Sequence, residues 1–122
     1  MKRFLIVDDS SVVRKVAKRI LESEGFFVAE ASGGTEALGL CRAEMPDTII
    51  LDATLPDISA VDFITEVLGI PCEKKPQIAI CLVELDVPAI MRAKRAGASS
   101  YILKPFNRPQ LLKRFREPGM AA

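Results

Sequence analysis

The chain has 122 residues, the length of one ordinary domain closed around a single core. Its 49% hydrophobic and 27% charged residues are those of a folded soluble protein, and no apolar run approaches the roughly 18 residues that a membrane helix needs. Net charge is only +1 and histidine is absent, which excludes Ser-His and Cys-His nucleophile pairs, histidine-ligated metals and a phosphohistidine-carrier role.

Met1-Lys2-Arg3 resembles the start of a signal peptide, but the apolar run 4–7 is cut off by Asp8-Asp9, so the expected location is the cytoplasm. That run reads as a first strand. Ser10 or Ser11 then caps a helix in which Val12, Val13, Val16, Ala17, Ile20 and Leu21 recur at helical spacing, opposite Arg14, Lys15, Lys18, Arg19 and Glu22, until Gly25 stops it. Residues 26–31 read as a second strand, Gly33-Gly34 as a turn, and 35–44 as a helix carrying Ala37, Leu38 and Cys41 inward. Residues 48–51 are a β-branched and apolar run of the kind that is buried on both faces, ended abruptly by Asp52. After Leu55-Pro56 comes a helix with Val61, Ile64, Val67 and Leu68 at the right spacing, broken by Gly69, Pro71 and Pro76. Residues 78–83 are a fourth strand, Pro88 opens a helix that Gly97 caps after Ala96, 101–103 are a fifth strand, and a last helix covers 109–116. Residues 117–122 are expected to be a disordered tail, with no output domain.

Five strands alternating with five helices imply a parallel sheet, sandwiched between helices by right-handed crossovers. In such sheets ligands collect beyond the carboxyl ends of the strands. Asp8 and Asp9 follow strand one, Asp52 ends strand three and Lys104 ends strand five, so all four are expected at one edge. A lone carboxylate at the mouth of a core needs cations. Three carboxylates against one lysine leave a surplus of two negative charges, which one divalent ion cancels. Ligation by oxygen alone favours Mg²⁺ over a transition metal.

The three cysteines, Cys41, Cys72 and Cys81, are odd in number and lack metal-ligand spacing, so they read as reduced thiols in or near the core. Between Val87 and Arg116 the basic residues are Arg92, Lys94, Arg95, Lys104, Arg108, Lys113, Arg114 and Arg116, with no acidic one. This is either a set of solvated helix faces or a docking face for an acidic partner, with nucleic acid the lesser alternative.

Leu5-Ile6-Val7-Asp8-Asp9-Ser10, Asp52 followed by Leu55-Pro56, Gly97-Ala98-Ser99 and Lys104-Pro105-Phe106 together resemble the receiver domain of bacterial two-component response regulators, especially the stand-alone chemotaxis-regulator type. The resemblance covers residues 1–116 as a receiver domain and implies a flavodoxin-like, doubly wound (βα)5 fold. It makes Asp52 the phosphoacceptor, loaded by a histidine kinase or histidine phosphotransfer protein. Asp8, Asp9, Asp52 and the main-chain carbonyl of Thr54 would hold Mg²⁺. Lys104 would pair with the carboxylate and then with the phosphoryl group, and its bond to Pro105 would be cis. The protein would then be no enzyme in the usual sense, but a phosphoacceptor with intrinsic autodephosphorylation. It would signal to a downstream protein target through the face of the fourth helix, fifth strand and fifth helix, with no membrane involved and nucleic acid the lesser alternative.

The pattern is broken at strand four. The family places Thr or Ser at its end, and counting back from Gly97 and Lys104 puts Leu82 there; no Ser or Thr occurs between Thr65 and Ser99. Coupling between that hydroxyl and Tyr101 is therefore expected to be weak or rerouted. The alternative function is a receiver-derived interaction module without phosphate-driven switching. Ser59-Ala60 stand where the family prefers glycine. Thr54 and Glu84 flank the phosphoryl position, either as ordinary loop residues or as groups that set its lifetime. Tyr101 is either a core aromatic or a moving switch. A phosphatase of the dehalogenase type would need a second Asp two positions after Asp52, where Thr54 stands.

Overall fold

Strands and helices alternate without exception in the computed structural model, which describes residues 2–115. The elements are β1 (Arg3–Val7), α1 (Ser11–Glu22), β2 (Phe27–Ala31), α2 (Gly34–Ala43), β3 (Thr48–Asp52), α3 (Ala60–Leu68), β4 (Gln77–Leu82), α4 (Val87–Ala96), β5 (Ser100–Leu103) and α5 (Arg108–Phe115). All four strand pairings are parallel, in the order β2-β1-β3-β4-β5. This is the flavodoxin-like (βα)5 fold. Arg116 and the tail at 117–122 lie outside the described residues.

The period-two alternation of the strands sorts the core into two layers. On one face Leu5, Val7, Ile49, Leu51, Ile78, Ile80 and Leu82 meet α2, α3 and α4 through Leu38, Phe63, Ile64, Val67 and Ile90. On the other, Phe4, Ile6, Ile50, Ala79, Cys81 and Ile102 meet α1 and α5 through Ala17, Leu21, Leu111 and Phe115. All of β3 is buried, as its continuous apolar character requires. Each large aliphatic or aromatic side chain so buried contributes about 1.5–3 kcal/mol relative to exposure, and the central strands collect most of it.

Helix ends are set by local chemistry. Ser10, Ser59 and Asp86 accept the amides of Val13, Asp62 and Ala89 as N-caps of α1, α3 and α4. Gly97 ends α4 at φ +128°, a backbone conformation that a side chain disfavours.

The structure corrects the expected core in three places. Val12 and Val16 are exposed at 69% and 43%, because the buried side of α1 runs through Ala17, Ile20 and Leu21. Val83 is 73% exposed and follows β4 rather than ending it. Cys72 is not a core thiol: it sits half-buried after α3, its Sγ donating to the Lys74 carbonyl, whereas Cys41 and Cys81 are buried. Burial pushes the Cys41 thiol up to about 11 and the Cys81 thiol to about 12, so both stay protonated and inert.

Candidate functional site

The carboxyl ends of β1, β3 and β5 meet at one edge of the sheet, and each delivers a charged side chain. Asp8 follows β1 and is only 2% exposed; its backbone amide donates to the Ala31 carbonyl, continuing the β1–β2 ladder by one residue. Its Oδ1 accepts the Ser10 amide at 2.9 Å and its Oδ2 the Lys104 ammonium at 2.9 Å. Asp9, next along, is exposed. Asp52 is the last residue of β3, opposite Cys81 of β4, and is 4% exposed. Carboxylate oxygens of Asp8, Asp9 and Asp52 lie within 4.8 Å of one another, a cluster able to hold a metal ion.

Lys104 reaches this cluster from the far side. Its backbone amide donates to the Leu82 carbonyl at 2.6 Å, which fixes where the side chain starts. Its Nζ then donates to Asp8 at 2.9 Å and to Asp52 at 3.3 Å. The following bond to Pro105 is cis, as expected.

Electrostatically the pocket is over-supplied with negative charge. Burial raises the pKa of Asp52 and the neighbouring Asp8 charge raises it further, against the Thr54 amide and Lys104, which lower it; the net direction is upward. Burial pulls the Lys104 ammonium down, but its bonds to Asp8 and Asp52 outweigh that, and its pKa stands above the ordinary lysine value. Two crowded carboxylates and one committed lysine form a site with room for a cation. The donors are oxygens throughout, which suits a hard divalent ion.

Asp52 is held asymmetrically. Its Oδ1 accepts from the Thr54 amide at 3.2 Å, the Thr54 hydroxyl at 3.4 Å and Lys104. Its Oδ2 has no donor among the described residues, and no buried side-chain oxygen among them lacks a partner, so Oδ2 is open to solvent.

The sequence matches the response regulator receiver domain family over residues 4–116. The chain belongs to that family. Among relatives of this receiver domain, the chemotaxis protein CheY of Thermotoga maritima is 35% identical over 106 residues, covering 86% of this chain and 87% of its own. The solved chemotaxis protein CheY4 of Vibrio cholerae superposes with a TM-score of 0.89 at 30% identity, covering 95% of this chain and 97% of that one. A response regulator from Burkholderia pseudomallei, solved with a phosphorylated aspartic acid, a calcium ion and citrate, superposes with a TM-score of 0.83 at 28% identity, covering 93% of this chain and 65% of that one.

Most of the residues singled out from the sequence converge in this receiver domain. Asp8, Asp9, Asp52, Thr54 and Lys104 come together directly; Leu82 and Glu84 line a cavity of about 320 Å³ beside Asp52. Tyr101 stands apart, half-buried on β5 with the Arg114 guanidinium 5.1 Å from its ring centre. The basic last quarter is less uniform than its composition suggests. Lys104 belongs to the carboxylate cluster, Arg108 turns away to Ser23 and Glu24, and Arg92 lines the cavity beside Asp52. Lys94, Arg95, Lys113 and Arg114 remain exposed on α4 and α5.

Asp57 carries a role that no local pattern signals. Its carboxylate accepts the Gly34 amide at 3.0 Å and the Thr35 amide at 2.9 Å, tying the loop after β3 to the start of α2. Those two bonds, Thr35 first, depress its pKa to about 2. Gly34 makes the approach possible, since a Cβ there would stand 2.0 Å from Ile58 Cγ2. Pro56-Asp57 in a loop is the only sequence clue, and it does not name a partner 22 residues away.

Proposed function

We propose that this chain is a Mg²⁺-dependent phosphoacceptor of a two-component relay, loaded at Asp52 by a histidine kinase or histidine phosphotransfer protein. The observation that carries this is the asymmetry at Asp52, whose carboxylate clusters with those of Asp8 and Asp9: Oδ1 is engaged by three donors while Oδ2 has none among the described residues. Oδ2 is thereby the nucleophile. Its lone pair attacks phosphorus, the donor's P–N bond breaks, and that electron pair leaves with the donor imidazole. Hydrolysis runs by attack of water on phosphorus, with the P–Oδ2 bond breaking and phosphate leaving.

Phosphoryl transfer is mainly positioning and charge neutralisation. Asp8, Asp9, Asp52 and the Thr54 carbonyl would hold a divalent cation, which would supply neutralisation of the phosphoryl charge. Thr54 and Lys104 orient the carboxylate so that a single oxygen faces the donor. Thr54 and Glu84, at the mouth, meter the approach of water and so set the lifetime of the modified state. The exposed face of α4, β5 and α5 serves the downstream partner, whose surface is acidic.

Leu82, 6% exposed and without a hydroxyl, favours a second reading in which the chain is a receiver-derived interaction module with weak switching. Incubation with Mg²⁺ and a small acyl phosphate separates the two. The phosphoacceptor gains the mass of one phosphoryl group, and Asp52→Asn does not. An equal gain in both chains, or none in either, contradicts the assignment of Asp52.

A further inference from the structure

Phosphorylation exchanges one negative charge at Asp52 for about two, so the modified site needs donors that the resting site does not. Lys104 is already shared between Asp8 and Asp52. Leu82 offers no hydroxyl. The cavity of about 320 Å³ beside Asp52 nevertheless contains one cation on its rim, Arg92 of α4, in company with Thr54, Leu82 and Glu84. A second cavity, of about 170 Å³, runs along Ala53, Thr54 and Leu55, and Arg92 lines it as well.

The other α4 residues that line this second cavity, Ala89 and Ala93, lie one turn apart on the same side and carry only a methyl group each. Its guanidinium has no hydrogen-bond or ion-pair partner among the described residues. Of the acidic groups on the same rim, Asp86 is engaged as the N-cap of α4, accepting the Ala89 amide at 3.1 Å. Glu84 is left as the competing anion.

Resting on the phosphoacceptor assignment above, we propose that Arg92 receives the charge added at Asp52. Its guanidinium moves into the cavity and donates two parallel N–H bonds to the phosphoryl oxygens, drawing α4 toward the loop after β3. Arginine suits the task because its planar fork matches a phosphoryl group bidentately, which a hydroxyl or an ammonium does not. The switch that strand four lacks is thereby relocated to a helix. Arg92 acts as a positioning and sensing residue; the bond chemistry stays at Asp52.

Beryllofluoride with Mg²⁺, a stable mimic of the phosphoryl group, tests this on the native chain and on Arg92→Ala, Arg92→Lys and Lys94→Ala. Both positions are exposed on one helix, so folding is not at issue, and Lys94→Ala controls for the loss of one general positive charge. Losing a hydrogen bond to a charged oxygen weakens adduct formation about tenfold in Arg92→Ala. The loss is smaller in Arg92→Lys, and Lys94→Ala stays within about twofold of native on the same reasoning, because it makes no such bond. In the native chain the Arg92 Nε–H resonance shifts as the adduct forms. Native-like adduct formation by Arg92→Ala, equal weakening in Lys94→Ala, or an unmoved Arg92 resonance overturns the proposal. Absence of any fluorine signal for an adduct on the native chain overturns the phosphoacceptor assignment, and this inference with it.

Discussion

Asp52 carries its negative charge where the fold makes that charge costly. A carboxyl whose pKa is higher in the fold than in the unfolded chain binds protons preferentially when folded. Its ionised form therefore costs stability above the raised pKa, and the cost fades as the pH falls from there to the ordinary carboxylate value of 3.8, below which it is gone. Asp52→Asn is accordingly expected to be more stable than the native chain at neutral pH without metal, by on the order of 1 kcal/mol in urea denaturation, with the gain vanishing near pH 4. Added Mg²⁺ narrows the gap by relieving the repulsion with Asp8, so the native midpoint rises more than the variant's. A variant less stable than native at neutral pH contradicts this. At this scale the sequence was informative where a charge ends a strand: Asp8, Asp9, Asp52 and Lys104 could be placed at one edge from topology alone. It was silent on direction within a helix surface. Arg92 read as one of eight basic residues, and only the fold puts it on the rim of the cavity beside Asp52, which Lys94 and Arg95 do not line.

Among the elements, the ends and joints are the sensitive points. At Gly97 the positive φ coincides with a close neighbour, since a Cβ would come within 2.3 Å of Leu68 Cδ1. Gly97→Ala is expected to cost about 1–3 kcal/mol, read from the urea midpoint, because it adds backbone strain to an overpacked contact between α3 and α4. The joint between the loop after β3 and α2 depends on an ionised Asp57. Its pKa is depressed to about 2, so the contribution of this clamp is present above the ordinary carboxylate value and is lost as the pH falls from there through about 2. The Gly34 and Thr35 amide signals are expected to titrate together with a midpoint near that lower value; a midpoint near 4 in place of about 2 contradicts the clamp. The strand-helix alternation was legible because apolar runs of 4–6 residues alternate with helical periodicity between Gly and Pro stops. The inward face of α1 was not. Val12 and Val16 fit the helical spacing as well as Ala17 does, and which side of α1 meets the sheet is a tertiary property.

For the whole molecule, charge is partitioned rather than merely balanced. A net charge of +1 conceals an acidic pocket at the strand ends and exposed basic residues on α4 and α5, Lys94, Arg95, Lys113 and Arg114. Opposite charges across a binding surface act through a screened field, so affinity for the downstream partner is expected to fall steeply as ionic strength rises. Affinity that is indifferent to salt contradicts the acidic-partner assignment while leaving the chemistry at Asp52 untouched. That chemistry is the centre of the account, and peptide-level mapping tests it most directly. After treatment with Mg²⁺ and an acyl phosphate, borohydride reduction is followed by mass spectrometry of the digested chain. The expected result is a single reduced residue at position 52, absent when a chelator removes the metal. Modification at another carboxylate, or at position 52 regardless of chelator, would contradict it.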